Sequence, residues 1–290
     1  MIIDGKVLAD TILTRLKSTV TSLKIRGCTP TLAVILVGDN AASLSYIKQK
    51  EKAAINIGAK VILEQLPGNV SPTILSSAIA HYNNDASIHG LIIQRPIPEG
   101  IGKVGDILSR VAPTKDIDGF IPNSPFEQPV ARAVLTILEH VHGHLVGQGL
   151  VNNDFIAWLT SQSIAIVGRG ETAGKPIADT LKRYNCATFI IHSHTNNPKK
   201  VLQNATIIVS CVGKPRIITR SLIQPGVILI SLGIWSDQQG KLHGDYEPEE
   251  VKSIASFYTP TPGGVGPVNV ACLMNNLTDA AIMAVNPISG

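Results

Sequence analysis

Aromatic residues are scarce in this chain, at 4% of 290 positions, so its cores should be aliphatic. Charge is low as well, at 16%, with a net charge of +4. No basic run with interleaved aromatics occurs, which argues against nucleic acid as a partner. The mild excess of Lys and Arg suits an anionic small substrate. Cysteine is limited to Cys28, Cys186, Cys211 and Cys272, none at a short metal-type spacing. Reduced thiols in a cytoplasmic protein are the expectation, with no metal site. No apolar run reads as long enough to cross a membrane, and "MIIDGKVLAD" has no signal-peptide pattern. What is present is 44% hydrophobic residues, the content of a folded protein rather than a disordered one. The length suits one large or two modest domains.

The first 110 residues alternate between two periodicities. "KVLADTILTRLKSTVTSL" has helical spacing, "TLAVILVG" reads as a buried strand, and a helix follows from about Ser43. "AKVILEQL" is a second strand, and "SPTILSSAIAHYNN" a helix with Ser71 as N-cap and Pro72 in its first turn. "HGLIIQ" is a third strand, and "KVGDILSRV" a short helix. Such alternation predicts an α/β protein with an open parallel sheet covered by helices. Ligands bind such sheets at the carboxyl ends of the strands, where Gly38–Ser43, Gln94–Pro96 and the "APTKDIDGF" loop should gather.

From about 123 to 162 the pattern shifts to two helices, "EQPVARAVLTILEHVHG" and "VNNDFIAWLTS", with "GHLVGQG" read as a loop between them. His140, His142 and His144 would share a face on a strand but diverge on a helix, so no metal centre is expected there. A second alternating lobe starts at Ser163 with strands "SIAIVG", "ATFIIH", "ATIIVSCVG" and "VILISLG", and "TRSLIQ" reads as a helix. The chain closes on the apolar helix "NVACLMNNLTDAAIMA", expected to pack back on the first lobe.

The second lobe holds a glycine turn between strand and helix. Gly168, Gly170 and Gly174 give G-x-G-x-x-x-G, one residue longer than the dinucleotide fingerprint. Small residues let the backbone approach a diphosphate, and a helix N-terminus faces it with unpaired N–H groups. The following strand ends in "HSHT", without the acidic residue that reads a free ribose hydroxyl. Arg169 and Ser193 suit a 2′-phosphate instead, which points to NADP.

In the first lobe, a helical wheel of "SLSYIKQKEKAAINIG" puts Tyr46, Ile47, Ala54 and Ile57 on one stripe about 100° wide, with Lys50 in its middle. Lys48 and Lys52 fall toward water. An inward lysine must be paired, neutral or at the edge of a cleft, because burying an unpaired ammonium is costly. A Tyr–Lys pair four residues apart also occurs as plain packing, with the lysine snorkelling past the ring. Gln94 at the end of a buried strand and Asp118 in a loop on the ligand side could converge on it.

The pieces "IIDGK", "VGDNAASLSYIKQKEKAA", "GLIIQRPIP", "APTKDIDGF", "VGRG…GKPIA", "HSHT", "VGKP", "LGI" and "TPTPGGVGPVNVACLMNN" follow one another over nearly the whole chain. In this the chain resembles the bifunctional methylenetetrahydrofolate dehydrogenase/cyclohydrolase family. The resemblance implies two α/β lobes with a cleft between them. The first is a folate-binding catalytic lobe of residues 1–122 and 268–290, completed by the C-terminal helix; residues 123–267 hold linker helices and a Rossmann-type NADP lobe. It implies NADP-dependent oxidation of 5,10-methylenetetrahydrofolate and hydrolysis of the methenyl product to 10-formyltetrahydrofolate. Lys50 matches the catalytic lysine, with Tyr46, Gln94 and Asp118 around it. Pro262, Gly263, Gly264, Gly266 and Pro267 would let backbone approach the folate. Gly168, Arg169, Gly170, Ser193 and Ile234 would line the NADP site. A homodimer through the second lobe is implied too. The chain departs from the pattern mostly on the cofactor side or near the domain junction: "QPVARAV" stands where the family has a Pro-Cys-Thr-Pro segment, the stretch from Ala131 to Ser163 is longer, Gly170 replaces a serine, Trp235 an asparagine, and Val268–Asn269 a Met–Thr pair. Two alternatives therefore stay open, a cyclohydrolase with weak or lost dehydrogenase activity and a non-catalytic folate- or nucleotide-binding sensor.

Overall fold

The computed structural model describes residues Met1–Asn286. The chain forms two compact units, one of Met1–Ala9 with Val130–Asn269, the other of Asp10–Pro129 with Val270 onward. The N-terminal residues join the former because Ile2 bridges Tyr258 in parallel and Ile3 N donates to Tyr258 O. The lobes expected from sequence put these nine residues with the other unit.

The unit beginning at Asp10 alternates helix and strand: α1 (Gly5–Ile25), β1 (Thr31–Val37), α2 (Ala41–Ile57), β2 (Lys60–Leu66), α3 (Pro72–Asn84), β3 (Gly90–Gln94) and α4 (Val104–Leu108). The strands form a parallel sheet of order β2-β1-β3. All seven residues of β1 are buried, as a central strand covered on both faces must be. Asn40 caps α2 by accepting from Ser43 N, and Ser71 caps α3 by accepting from Ile74 N. Ala33, Ile35, Leu75, Ile79, Leu91 and Ile93 form the centre of one core cluster. Each fully buried Ile or Leu side chain there contributes about 1.5–3 kcal/mol of transfer free energy.

The other unit contains α5 (Pro129–Gly147), α6 (Phe155–Thr160), β4 (Ser163–Val167), α7 (Gly174–Arg183), β5 (Ala187–Ile191), α8 (Pro198–Asn204), β6 (Ile207–Ser210) and β7 (Ile228–Ser231). After them come β8 (Trp235–Ser236), β9 (Leu242–His243), α9 (Pro248–Val251) and β10 (Phe257–Tyr258). Five strands make a parallel sheet of order β10-β7-β6-β4-β5, and β8 and β9 pair as a hairpin. Two sequence expectations need correction. "GHLVG" is the last turn of α5 rather than a loop, because His144 still packs edge-on against Phe257 and holds the helix to the core. "TRSLIQ" makes only a 3₁₀ turn over Arg220–Leu222. The histidines of α5 do diverge: His140 is exposed, while His142 meets Asn152 O at 3.0 Å and packs on Trp158.

The last helix, α10 (Val265–Val285), starts earlier than its apolar pattern indicates. By length and composition it could cross a membrane, contrary to the sequence expectation, yet 56% of the relevant window is buried inside the protein. Ala271, Met274, Leu277 and Ala281 are fully buried, the pattern of a core helix.

Candidate active site

The carboxyl ends of β1 and β3 carry the first group of residues. Ile47, Ala54 and Ile57 on α2 are buried, and Lys50 shares their face, half-buried. Lys48 and Lys52 are exposed. Lys50 Nζ donates to Gln94 Oε1 at 3.0 Å. Gln94 is oriented by its other end, where Nε2 donates to Arg95 O at 2.9 Å. Ser43 Oγ donates to the same carbonyl at 3.1 Å, tying the start of α2 to the end of β3. Burial pulls the Lys50 pKa below 10.5, while the nearby Asp118 carboxylate pushes it up. Burial thus favours the neutral amine, and Asp118 opposes it. Tyr46 sits one turn before it on α2, 39% exposed, with its own pKa raised by burial.

Asp118 comes from a loop that is fixed at both sides. Lys115 Nζ donates to Tyr82 O and Asp85 O, each at 2.7 Å, and Ala112 N donates to Asn83 Oδ1. From α10, Asn276 Nδ2 donates to Ile117 O and Glu127 O, each at 2.8 Å. Inside the loop, Asp116 accepts from Ile121 N at 3.0 Å. Its carboxyl is pushed up to about 6, mainly by burial and further by Asp118. The guanidinium of Arg95 lies 3.9 Å over the Phe120 ring, a cation–π contact joining the loop to the end of β3. Sequence reasoning missed Ser43, Asp116 and Asn276 as supports. Asp116 alone had a signal, as a second acidic residue in a ligand-side loop.

In the other unit, the glycine turn follows β4. Gly168 has φ +104°, a conformation that L side chains rarely adopt, and a Cβ there would lie 3.1 Å from Cys211 O. A Cβ on Gly174 would meet Gly168 O at 2.1 Å, so helix and turn pack too closely for any side chain. No side chain among the described residues caps the start of α7; Ala173 N and Lys175 N donate to Gly170 O at 3.3 and 3.0 Å and Pro176 brings no N–H, which leaves Gly174 N to face an anion there. Arg169, Gly170 and Ser193 are exposed beside this turn and at the end of β5. Ile234, 38% exposed, follows β7. These features fit a dinucleotide. Pro262, Gly263 and Gly264 form the turn before α10, whereas Gly266 and Pro267 already lie in its first turn and not in a loop. An open basin of the same unit lies elsewhere, against the Arg220–Leu222 turn between Arg216, Ile223, Glu250 and Ile254.

Residues 3–118 match the catalytic domain of tetrahydrofolate dehydrogenase/cyclohydrolase, and residues 132–285 match its NAD(P)-binding domain. The chain belongs to the tetrahydrofolate dehydrogenase/cyclohydrolase family. It is 37% identical over 281 residues to the bifunctional protein FolD of Anoxybacillus flavithermus, covering 97% of each chain. To that of Rickettsia bellii it is 36% identical over 290 residues, covering 96% of this chain and 97% of the other. Among solved structures, the bifunctional FolD of Campylobacter jejuni superposes with a TM-score of 0.88 at 30% identity, covering 97% of this chain and 98% of that one. The Trypanosoma brucei enzyme, complexed with NADP cofactor and inhibitor, gives 0.86 at 28% identity and 98% of both chains. As a member of the tetrahydrofolate dehydrogenase/cyclohydrolase family, the protein is an enzyme of folate one-carbon metabolism with both activities.

Proposed function

We propose that Lys50 transfers the proton in the cyclohydrolase step, with Gln94, Tyr46 and Asp118 arranged around it. The observation that carries this is the 3.0 Å contact from Lys50 Nζ to Gln94 Oε1, on a lysine whose pKa burial lowers. Water adds to the methenyl carbon of 5,10-methenyltetrahydrofolate, and the ring then opens to 10-formyltetrahydrofolate. The neutral Lys50 amine takes the proton of the attacking water. A cationic substrate beside it lowers its pKa further, by like-charge repulsion. Gln94 Oε1 keeps the nitrogen in place, and Tyr46 packs beside the folate. Asp118 accepts two hydrogen bonds from the amino-pyrimidinone edge of the pterin, a donor pair that a carboxylate matches bidentately. Backbone at Pro262, Gly263, Gly264, Gly266 and Pro267 approaches the folate.

In the dehydrogenase step, bound NADP⁺ supplies the acceptor for a hydride from the one-carbon bridge of 5,10-methylenetetrahydrofolate. Gly168 and Gly170 admit the diphosphate to the start of α7, Arg169 and Ser193 take the 2′-phosphate, and Ile234 lines the site. The preference for NADP over NAD rests on that arginine and on the missing acidic residue after β5.

Two assays test this. NADPH and methenyl product are followed by absorbance with methylenetetrahydrofolate and NADP⁺, and methenyltetrahydrofolate decay is followed without cofactor. Signal in both is expected. Decay alone would mean that the dehydrogenase half is lost; silence in both would sink the reading. The enzyme works in the cytoplasm as a homodimer, paired through the edge strand β5, where Phe189 and Ile190 are 49% and 43% exposed. Light scattering should give twice the chain mass, and Phe189→Lys should halve it.

A further inference from the structure

Asp245 is 0% exposed, two residues past the end of β9, and takes no part in the chemistry described so far. A buried carboxylate is costly unless every lone pair finds a donor. Asp245 finds four. Oδ2 accepts from Ser210 Oγ at 2.6 Å and Val212 N at 3.0 Å, and Oδ1 accepts from Gly213 N at 2.7 Å and Lys214 N at 3.0 Å. Three successive amides make a concave nest of the kind that binds anions. Here the nest is filled by the chain's own carboxylate, so it shapes a loop instead of holding a ligand.

That loop has two neighbours of consequence. Cys211, its first residue, lies against the Gly168 turn, where a Cβ on Gly168 would come 3.1 Å from Cys211 O. Gly213 takes φ +72°, and a Cβ there would meet Ile234 O at 2.9 Å. On the far side, a Cβ on Gly233 would strike Asp245 Oδ2 at 2.2 Å. The carboxylate therefore occupies the crease between the loop after β6 and the loop after β7. Its own backbone is pinned there, because Asp245 N donates to Ser231 Oγ at 3.1 Å and the next residue, Tyr246, donates through its hydroxyl to Thr259 O at 2.7 Å.

We infer that Asp245 is a positioning residue for the dinucleotide site: it fixes the Cys211–Lys214 loop against the Gly168 turn and Ile234, and so sets the shape of the wall the cofactor meets. This rests on the reading that Gly168 and Ile234 line that site. The carboxylate acts through the loop and touches no reacting atom. Asparagine at this position is nearly the same size but wrong in polarity, since all four partners donate and its amide NH₂ would face two of them.

The test is kinetic and uses the intact chain. Asp245→Asn should raise KM for NADP⁺ about tenfold or more, the scale of losing a charge-assisted hydrogen bond or two. Hydration of methenyltetrahydrofolate, which needs no cofactor, should stay within about twofold of the native rate. Unchanged KM in a folded Asp245→Asn enzyme overturns the inference. Should that variant lose hydration as well, Ser210→Ala decides, because it keeps the charge and the three amide bonds; a KM rise of about threefold is expected, and none overturns the inference. Gly168→Ala separates the two readings: weaker NADP⁺ binding in Gly168→Ala but not in Asp245→Asn removes the role of Asp245 alone. Unaltered binding in both removes the cofactor site itself.

Discussion

The Lys50 cluster and the Gly168 turn both lie at carboxyl ends of parallel strands, but they are made of different material. The first is made of side chains: an amine on α2, an amide ending β3 and a carboxylate from a loop anchored by Lys115 and Asn276. The second is made of backbone, where the decisive feature is the absence of Cβ atoms at Gly168 and Gly174. Proton transfer needs a titratable group whose pKa surroundings can tune, and only side chains offer that. Diphosphate binding needs close approach to backbone N–H groups, which every residue but proline has and most side chains obstruct. Hence truncating or neutralising side chains should break the first region, and adding a single methyl group should break the second.

The largest effect should come from Lys50→Met. Hydration of methenyltetrahydrofolate should fall by about 10²–10⁴-fold, the usual contribution of a positioned proton-transfer group. NADP⁺ affinity, followed by fluorescence titration, should not change. A variant that hydrates at the native rate removes Lys50 from the mechanism.

Next is the buried acid inside the Asp118 loop. Burial raises Asp116 from 3.8 to about 6, so between those values the folded protein holds a proton that the unfolded chain has released. The stability this confers is complete below pH 3.8 and is lost as pH rises through about 6. In Asp116→Asn that loss should vanish, separating native and variant unfolding free energies by up to about 3 kcal/mol between pH 4 and 7. Urea melts at several pH values measure it, and parallel curves would contradict it.

Gly174→Ala tests the backbone region. With 2.1 Å between the added carbon and Gly168 O, turn and helix must separate. KM for NADP⁺ should rise about tenfold, or about 1.4 kcal/mol, with hydration retained. A loss of hydration as well would mean that the two regions do not break independently. The smallest effect sharpens the electrostatics around Lys50. Asp118 raises the lysine pKa, so in Asp118→Asn the rising limb of kcat against pH for hydration should move to lower pH. Movement to higher pH would show that Asp118 does not raise the lysine pKa.

Much of the architecture was readable from local pattern. The apolar runs of β1 and β4, Ser71 with Pro72 at the start of α3, and the glycines after β4 each carry their signal within a few residues. Short polar elements were not readable. "PKKVLQN" is a helix of seven residues under an Asn197 cap, too brief to show a period. The hairpin of β8 and β9 has only two residues on each side. The end of α5 was mistaken for a loop because Gly143, Gly147 and Gly149 read as breakers, whereas the helix absorbs the first two.

The α2 wheel turned Lys50 inward without naming what it meets. The amino-acid sequence by itself determined the alternation of elements, hence two parallel sheets, and the sparing of side chains where a diphosphate must come close. It also offered Gln94 and Asp118 as groups that could converge on Lys50, but only the tertiary structure decided which atoms meet and brought in Asn276 and Asp245. Gln94 reaches Lys50 across 44 residues, Asn276 reaches the Asp118 loop across 159, and Asp245 fills a nest 32 residues before it. Those meetings follow from the strand orders β2-β1-β3 and β10-β7-β6-β4-β5, and strand order depends on which faces pack best together. A periodicity reports which way one residue faces; it carries nothing about the element opposite.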